Sequence, residues 1–304
     1  MITGQKILVT GANGQIGLPL AQHLAADNEV WGAARFSKPE SRQALIDSGI
    51  TPLPLDLATG DFSSVPDDFS YVVHLAIYKG AEPDYDKAIT VDAEGTGLLL
   101  QHCRRAKAAL IMSTHSVYKP NDDNWHAFVE TDPLGDVNAP YSPTYSVSKI
   151  SEEAVARTCA RAFNLPVTLA RMNTSYGPNG GLPAMHIDTI VAGGDVVTRW
   201  DPQPYSPIYE DDINAQTVPL LEAASVPATI VNWAGDEVVT VAEWCDYVGE
   251  LTGRPANVVV KEAPGTLRGL VADVTKRQAI TGPCTVDWRE GMRRTLAARH
   301  PGIV

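Results

Sequence analysis

The stretch "ILVTGANGQIG" (Ile7–Gly17) decides how this chain folds. Ile7 to Thr10 is a short apolar, β-branched run stopped by Gly11, the pattern of a buried parallel strand. Gly11, Gly14 and Gly17 follow at intervals of three and lead into "LPLAQHLAA" (Leu18–Ala26), which has helical apolar spacing. Glycine at such points lets the backbone turn tightly, approach a pyrophosphate without a Cβ in the way, and pack helix closely on strand. The helix N-terminus adds free N–H groups and a positive dipole end. A glycine triplet alone is a weak signal; set between strand and helix, it predicts a dinucleotide cradle.

Strand-like and helical stretches continue to alternate outward from that turn. "NEVWGAAR" reads as a strand, "SRQALIDSG" as a helix, "TPLPLDL" as extended, "YVVHLA" as a strand, Ala81 to Ala108 as mostly helical, and "AALIMSTHSVY" as a strand running into a loop. The alternation predicts right-handed βαβ units and an α/β fold with a doubly wound parallel sheet. Ligands of such sheets bind beyond the carboxyl ends of the strands, which is where Gly11, Arg35, Asp56, His74 and Thr114 fall.

Bulk composition narrows the function classes. The chain has 304 residues, 44% hydrophobic and 20% charged, enough for a large core without staples. A net charge of −12 argues against a nucleic-acid partner, which clustered Lys and Arg would favour. Cys103, Cys159, Cys245 and Cys284 lie far apart, so their spacing shows neither a disulfide framework nor a metal site. Reduced thiols in a cytoplasmic protein are the expectation. Neither a leader-like N-terminus nor an apolar run of membrane-spanning length is present, so no membrane association is expected.

"PTYSVSK" (Pro143–Lys149) sets Tyr145 and Lys149 four positions apart. If the stretch opens a helix, both side chains share one face, and the ammonium lowers a phenol pKa that starts near ~10. Such a pair is an acid/base device, although one pair alone also arises by chance.

The ordered motifs resemble the extended short-chain dehydrogenase/reductase superfamily, specifically its NAD(P)-dependent epimerase/dehydratase family, over nearly the whole chain. "TGANGQIG" resembles the family's glycine fingerprint, "LDL" its adenine-contacting acid, and "VVHLA" its fourth strand. "MSTHSVY" is similar to the strand carrying a catalytic Ser or Thr, "YSVSK" to the Y-x-x-x-K pair, and "LARMNTSYGPNG" to the segment closing over nicotinamide. "PIYEDDI" and "NWAGDEVVTVAEWCDYVGELTG" resemble blocks that follow. The resemblance implies a Rossmann-type sheet with a smaller C-terminal substrate-binding lobe. The implied division is 1–172 with 206–232 for the dinucleotide, and 173–205 with 233–304 for substrate.

The same resemblance implies Tyr145 as general acid/base, Lys149 as its pKa-lowering and ribose-holding partner, and Thr114 as the hydroxyl that bonds the reacting oxygen. Ser113 and Ser116 are rivals of Thr114, and either could simply terminate the strand by bonding local backbone. Implied cofactor contacts are Gly11, Asn13, Gly14, Gln15, Ile16, Gly17, Arg35, Asp56, Leu57, Leu75, Ala76, Lys149 and Met172. Substrate candidates are Tyr78, His115, Asn173, Arg199 and Arg268, with Trp125, Met185, Trp200 and Tyr205 as wall residues. One departure stands out: Asp92 replaces the Asn usual before Gly-Thr, and a carboxylate donates a hydrogen bond only when protonated.

The second strand ends "AARFSK" (Ala33–Lys38) with no acid before Glu40, so Arg35 favours NADP, with NAD also admissible. A small-molecule substrate is expected. The first reaction reading is net hydride transfer between nicotinamide and a carbonyl or secondary alcohol. The alternative is epimerisation or dehydration of a sugar or sugar nucleotide through a transient ketone. A non-catalytic dinucleotide sensor ranks last, since Tyr145 and Lys149 are both present. Helices near 85–107 and 145–163 form a homodimer face in many relatives, and the resemblance extends that expectation here.

Overall fold

The computed structural model describes residues 2–80, 82–135, 137–139 and 142–303. Seven strands form the main sheet: β1 (Lys6–Thr10), β2 (Glu29–Ala34), β3 (Thr51–Pro54), β4 (Tyr71–His74), β5 (Ala108–Thr114), β6 (Val167–Met172) and β7 (Thr229–Trp233). Their spatial order is β7-β6-β5-β4-β1-β2-β3. Each pairing from β3 through β2, β1 and β4 to β5 is parallel. The order reverses at β1, which pairs with β2 on one side and β4 on the other. That switch point is where an open α/β sheet leaves a crevice.

Burial explains the composition of the strands. All seven residues of β5 are buried, as expected of a strand covered on both faces. The covering helices include α1 (Gly17–Ala25), α2 (Pro39–Asp47), α3 (Tyr85–Ile89), α4 (Gly95–His102) and α5 (Tyr145–Phe163). Leu99 and Leu100 of α4 and Ala156 and Ala160 of α5 share one core with Val72, Ala109, Ile111 and Leu169. Between α3 and α4 the chain makes one π-helical turn, Thr90–Glu94, containing Asp92.

The glycine turn is sterically compelled. Gly11 has a φ of +67°, and a Cβ there would lie 2.9 Å from the Ala76 nitrogen. A Cβ on Gly17 would lie 2.1 Å from the Gly11 carbonyl oxygen, closer than any side chain can sit. Strand end and helix start therefore touch backbone to backbone.

The chain divides into two compact units, residues 1–117 with 139–171 and 214–231, and residues 118–138 with 172–213 and 232–304. These bounds differ from the expected ones at 118–138, 172, 206–213 and 232, and the second unit supplies partners for the two longer stretches. The Tyr118 hydroxyl donates to Asn232 Oδ1 at 2.5 Å, and strand Ala127–Phe128 pairs with Val271–Ala272. Likewise, strand Ile208–Tyr209 pairs with Ser175–Gly177.

In that unit, α6 (Leu182–Val191), α8 (Val241–Thr252) and α10 (Trp288–Arg299) bury Ile187, Trp244, Val248 and Met292 together. Helices α7 (Glu210–Glu222) and α9 (Thr275–Thr281) complete the chain. A capping box starts α8: Thr240 Oγ1 accepts the Glu243 N–H, and Glu243 Oε2 accepts the Thr240 N–H. Gly253, with φ +64°, ends that helix in the left-handed region.

All four cysteines carry free thiols, and burial pushes those of Cys103 and Cys245 up to about 12. Among the described residues no helix is long and apolar enough to cross a membrane. Among the same residues no group of three or more His, Cys, Asp or Glu could hold a metal ion.

The turn makes a stability difference measurable. Gly17→Ala is expected to cost about 3 kcal/mol or more, because a backbone carbonyl must move. Gly253→Ala meets no neighbour and should cost only about 1–2 kcal/mol, from its backbone conformation. Urea unfolding of both variants checks the ranking; equal losses would show that the Gly11–Gly17 contact is not the constraint.

Candidate functional site

The site in the first unit starts from Thr10, the last residue of β1. Its Oγ1 accepts the N–H of Leu75 at 3.1 Å and of Ala76 at 3.2 Å. Those bonds hold the chain leaving β4 against the glycine turn. The same hydroxyl lies 2.7 Å from His74 Nδ1 and, already accepting twice, gives its proton to that nitrogen. His74 is then the neutral tautomer with its proton on Nε2, which donates to Thr96 Oγ1 at 2.8 Å. Thr96 in turn donates to the Asp92 carbonyl at 2.5 Å. Sequence reading set His74 at a strand end but missed the part played by Thr10 and Thr96, because spacing carries no trace of a cross-strand bond.

Asn13 and Gly14 are exposed, while Gln15 and Ile16 are half-buried. No side chain caps the start of α1, so its first N–H groups remain suited to an anion. Cβ atoms at Gly11, Gly14 and Gly17 would fill this turn; at Gly14 the nearest atom is the Gly11 oxygen, 3.1 Å away. The cradle therefore fits a dinucleotide pyrophosphate. Arg35 and Asp56 are exposed beyond β2 and β3, and Leu57, Leu75 and Ala76 line the same carboxyl edge. Asp56 Oδ1 accepts the Ala58 N–H and opens a short helical turn, Leu57–Thr59.

At the end of β5 the structure separates the hydroxyl rivals. Ser113 donates to Glu153 Oε1 at 2.5 Å, and Arg171 grips the same carboxylate through two nitrogens at 2.9 and 2.7 Å. All three side chains are buried. Ser113 is thus tied into a structural ion pair, whereas Thr114 Oγ1 only accepts the Ser116 N–H at 3.2 Å. The turn His115–Val117 packs on α5. His115 itself is fully buried.

Tyr145 is the first residue of α5 and Lys149 lies one turn on. Lys149 is 1% exposed and its ammonium contacts Glu152 Oε2. Burial works against that charge, but the acidic surroundings, Glu152 foremost, outweigh it and hold the lysine above its usual pKa. Glu152 was not foreseen as a site residue; its place three positions after Lys149 on a helix was the available signal. Tyr78 gives its backbone N–H to Asp92 Oδ1 at 2.6 Å, and its ring lies under the Lys87 ammonium, 5.8 Å away.

In the second unit, the Asn173 amide is held at both ends. Its Nδ2 donates to the Leu270 carbonyl at 2.7 Å and its Oδ1 accepts the Thr174 N–H. Met172 is buried. Arg199 is half-buried beside Trp200. Arg268 lies 4.3 Å over the Trp200 ring and 3.5 Å from Asp122. Trp125 and Met185 are exposed, whereas Tyr205 is buried in the core beside Trp244 and forms no surface wall.

Sheet order, glycine turn and uncapped helix define a Rossmann-type fold. The chain belongs to the NAD-dependent epimerase/dehydratase family, whose sequence model matches residues 7–201. It is 28% identical over 196 residues to the dTDP-D-glucose 4,6-dehydratase of Dictyostelium discoideum, covering 57% of this chain and 44% of that one. It is 33% identical over 162 residues to the dTDP-4-dehydrorhamnose reductase of Burkholderia thailandensis, covering 50% and 46%. The chain therefore spans about half the length of these relatives. The UDP-glucuronic acid 4-epimerase from Bacillus cereus, solved with UDP-glucuronic acid and NAD, superposes with a TM-score of 0.82 at 25% identity, covering 96% of this chain and 98% of that one.

The contrast between neighbouring hydroxyls is measurable. Ser113→Ala removes a donor from a buried carboxylate and should lower stability by about 1.5–3 kcal/mol. Thr114→Ala should change stability by less than about 1 kcal/mol. Thermal unfolding of the pair reads the difference, and equal losses would remove the distinction drawn between them.

Proposed function

We propose that this protein is an NAD(P)-dependent oxidoreductase of the short-chain dehydrogenase/reductase type, with Tyr145 as general acid/base. The observation that carries the reading is the buried Lys149 ammonium one turn beyond Tyr145 on α5. When bound, the nicotinamide dinucleotide supplies or accepts the hydride. The chain's part is to hold that group and move one proton. The glycine turn and the start of α1 hold the pyrophosphate, while Asp56, Leu57, Leu75, Ala76 and Met172 border the rest. The Lys149 charge favours the Tyr145 phenolate, so the phenol releases its proton more readily than one free in water, and its phenolate is available to take one back. Thr114 supplies the hydroxyl that orients the reacting oxygen.

The cofactor we favour is NADP. Arg35 is exposed at the end of β2 with no acid beside it, and a guanidinium suits a 2′-phosphate. The NAD in the Bacillus cereus epimerase supports the dinucleotide class. Substrate-binding side chains come from the second unit, where Arg268 on Trp200 suits an anionic group. The expected partition, 1–172 with 206–232 for dinucleotide and 173–205 with 233–304 for substrate, belongs to the same reading. So do a cytoplasmic setting and a homodimer through α4 and α5, where Leu98 is exposed.

A second reading is favoured by that epimerase's near-complete superposition: epimerisation or dehydration of a sugar nucleotide, with the hydride returned after a transient ketone. Titration calorimetry with NADPH and NADH, on wild type and Arg35→Ala, tests the cofactor assignment. NADPH affinity should fall about tenfold in the variant while NADH binding is unchanged; tight NAD indifferent to Arg35 would overturn it. Tyr145→Phe should lower turnover by roughly 10²–10⁴-fold with cofactor binding preserved. Substrate-dependent net loss of NADPH absorbance supports the first reading, and conversion without net change supports the second.

A further inference from the structure

Beneath Lys149 lie two buried carboxyls that the proposed reaction does not use. Lys149, Glu152 and Asp92 are all at most 1% exposed. They offer one cation and two carboxyls, and His74 beside them is neutral by the hydrogen-bond argument above. Leaving both carboxyls ionised would bury an uncompensated negative charge, which burial strongly disfavours.

The surroundings decide which carboxyl holds the proton. Glu152 has the Lys149 ammonium in contact with Oε2 and the His74 Nε2–H 3.5 Å from Oε1. Asp92 Oδ1 accepts the Tyr78 N–H, and the other donor beside it, the Ser148 hydroxyl, also reaches the Tyr145 carbonyl at 3.2 Å. An ionised carboxylate can only accept, whereas a protonated one also carries a donor, for which the neighbouring Ser148 oxygen is an acceptor. We infer that Asp92 is the protonated member of this Lys149–Glu152–Asp92 cluster, and that its neutral carboxyl keeps the charge around Lys149 balanced. Asp92 is then a positioning residue: it leaves Glu152 as the one counter-ion and lets the lysine act on Tyr145. This role for Tyr145 rests on the proposed function; the protonation of Asp92 does not.

The groups packed around Asp92 agree with the assignment. Helix α5 presents Tyr145, Lys149, Glu152 and the Ser148 hydroxyl; Glu153 on the same helix is already paired with Arg171. β4 presents the neutral His74, and α4 presents Thr96. On α3, Tyr85, Asp86 and Lys87 are exposed, as are Asp56 beyond β3 and Glu94 on Asp92's own turn. Burial first, and then the Glu152 charge, raise the Asp92 pKa against the opposing pull of Lys149, Ser148 and the Tyr78 N–H.

The test uses the full chain without cofactor, labelled with ¹³C at the aspartate carboxyl. The Asp92 resonance is identified by its loss in Asp92→Asn. It should titrate above the ordinary ~3.9 of an aspartate. In Glu152→Gln the midpoint should fall, because a like charge is gone and Lys149 turns to Asp92. A carboxyl whose folded pKa is raised stabilises the fold fully below its unfolded value and loses that contribution as pH rises through the folded one. Wild-type protein should therefore lose melting temperature across that window, and Asp92→Asn should not. A midpoint near ~4 would overturn the inference. So would failure of Asp92→Asn to fold, since an amide is the nearest neutral match of a protonated carboxyl. If the titration is raised but Tyr145→Phe keeps full turnover, the Asp92 assignment stands and the role given to Tyr145 fails.

Discussion

The Gly11 carbonyl oxygen leaves no room for a side chain at Gly17, and much of the first unit follows from that contact. It brings the start of α1 onto the end of β1, and so fixes where an anion would meet helix N–H groups. It also brings the Thr10 hydroxyl to the Leu75 and Ala76 amides, which pins the chain leaving β4 to the same edge. The parallel register of β1 with β4, in which Thr10 stands opposite His74, then carries the constraint sideways through His74 to Thr96. One tight turn thereby connects the pyrophosphate cradle to the floor beneath Lys149.

Two buried acids follow Lys149 in succession and are used differently. Glu153 is saturated: Arg171 grips it through two nitrogens and Ser113 adds a third bond. Such a pair resists loss of either partner, because the survivor would be a buried unpaired charge. It joins α5 to β5 and β6 and so holds the helix that begins with Tyr145. Glu152 faces Lys149 instead, and its partners are a cation and a neutral histidine. Adjacent positions on one helix thus divide anchoring from charge balance, since successive side chains project about 100° apart.

Much of the fold was legible in the sequence because its signals are local. Glycine spacing, the apolar strand runs and the "YSVSK" pair each report on a few consecutive residues, and the elements formed where those patterns lay. What was not legible is long-range. Residues 118–138 pack in the second unit because Tyr118 bonds Asn232, 114 positions away. Asn173 read as a substrate candidate, and its amide is held by the Leu270 carbonyl, a partner no spacing reveals. Tyr205 read as a wall residue, but the fold sets it against Trp244. Ser113 and Thr114 were equivalent as letters; only the alternation of β5 against α5 distinguishes them.

Asp92 shows how a departure in sequence acquires meaning from its surroundings. As a letter, an acid in place of an amide implies a lost donor. Within the fold it lies on a π-helical turn, buried against Lys149 and Glu152, with one oxygen taken by the Tyr78 N–H. A site that already holds a carboxylate against Lys149 has, among the described residues, no second positive charge to offer. The least costly state is then a neutral acid, which resembles the amide in shape and in having one donor and one acceptor. The replacement therefore keeps the hydrogen-bonding character of an amide below the pKa of Asp92 and gives it up above that value.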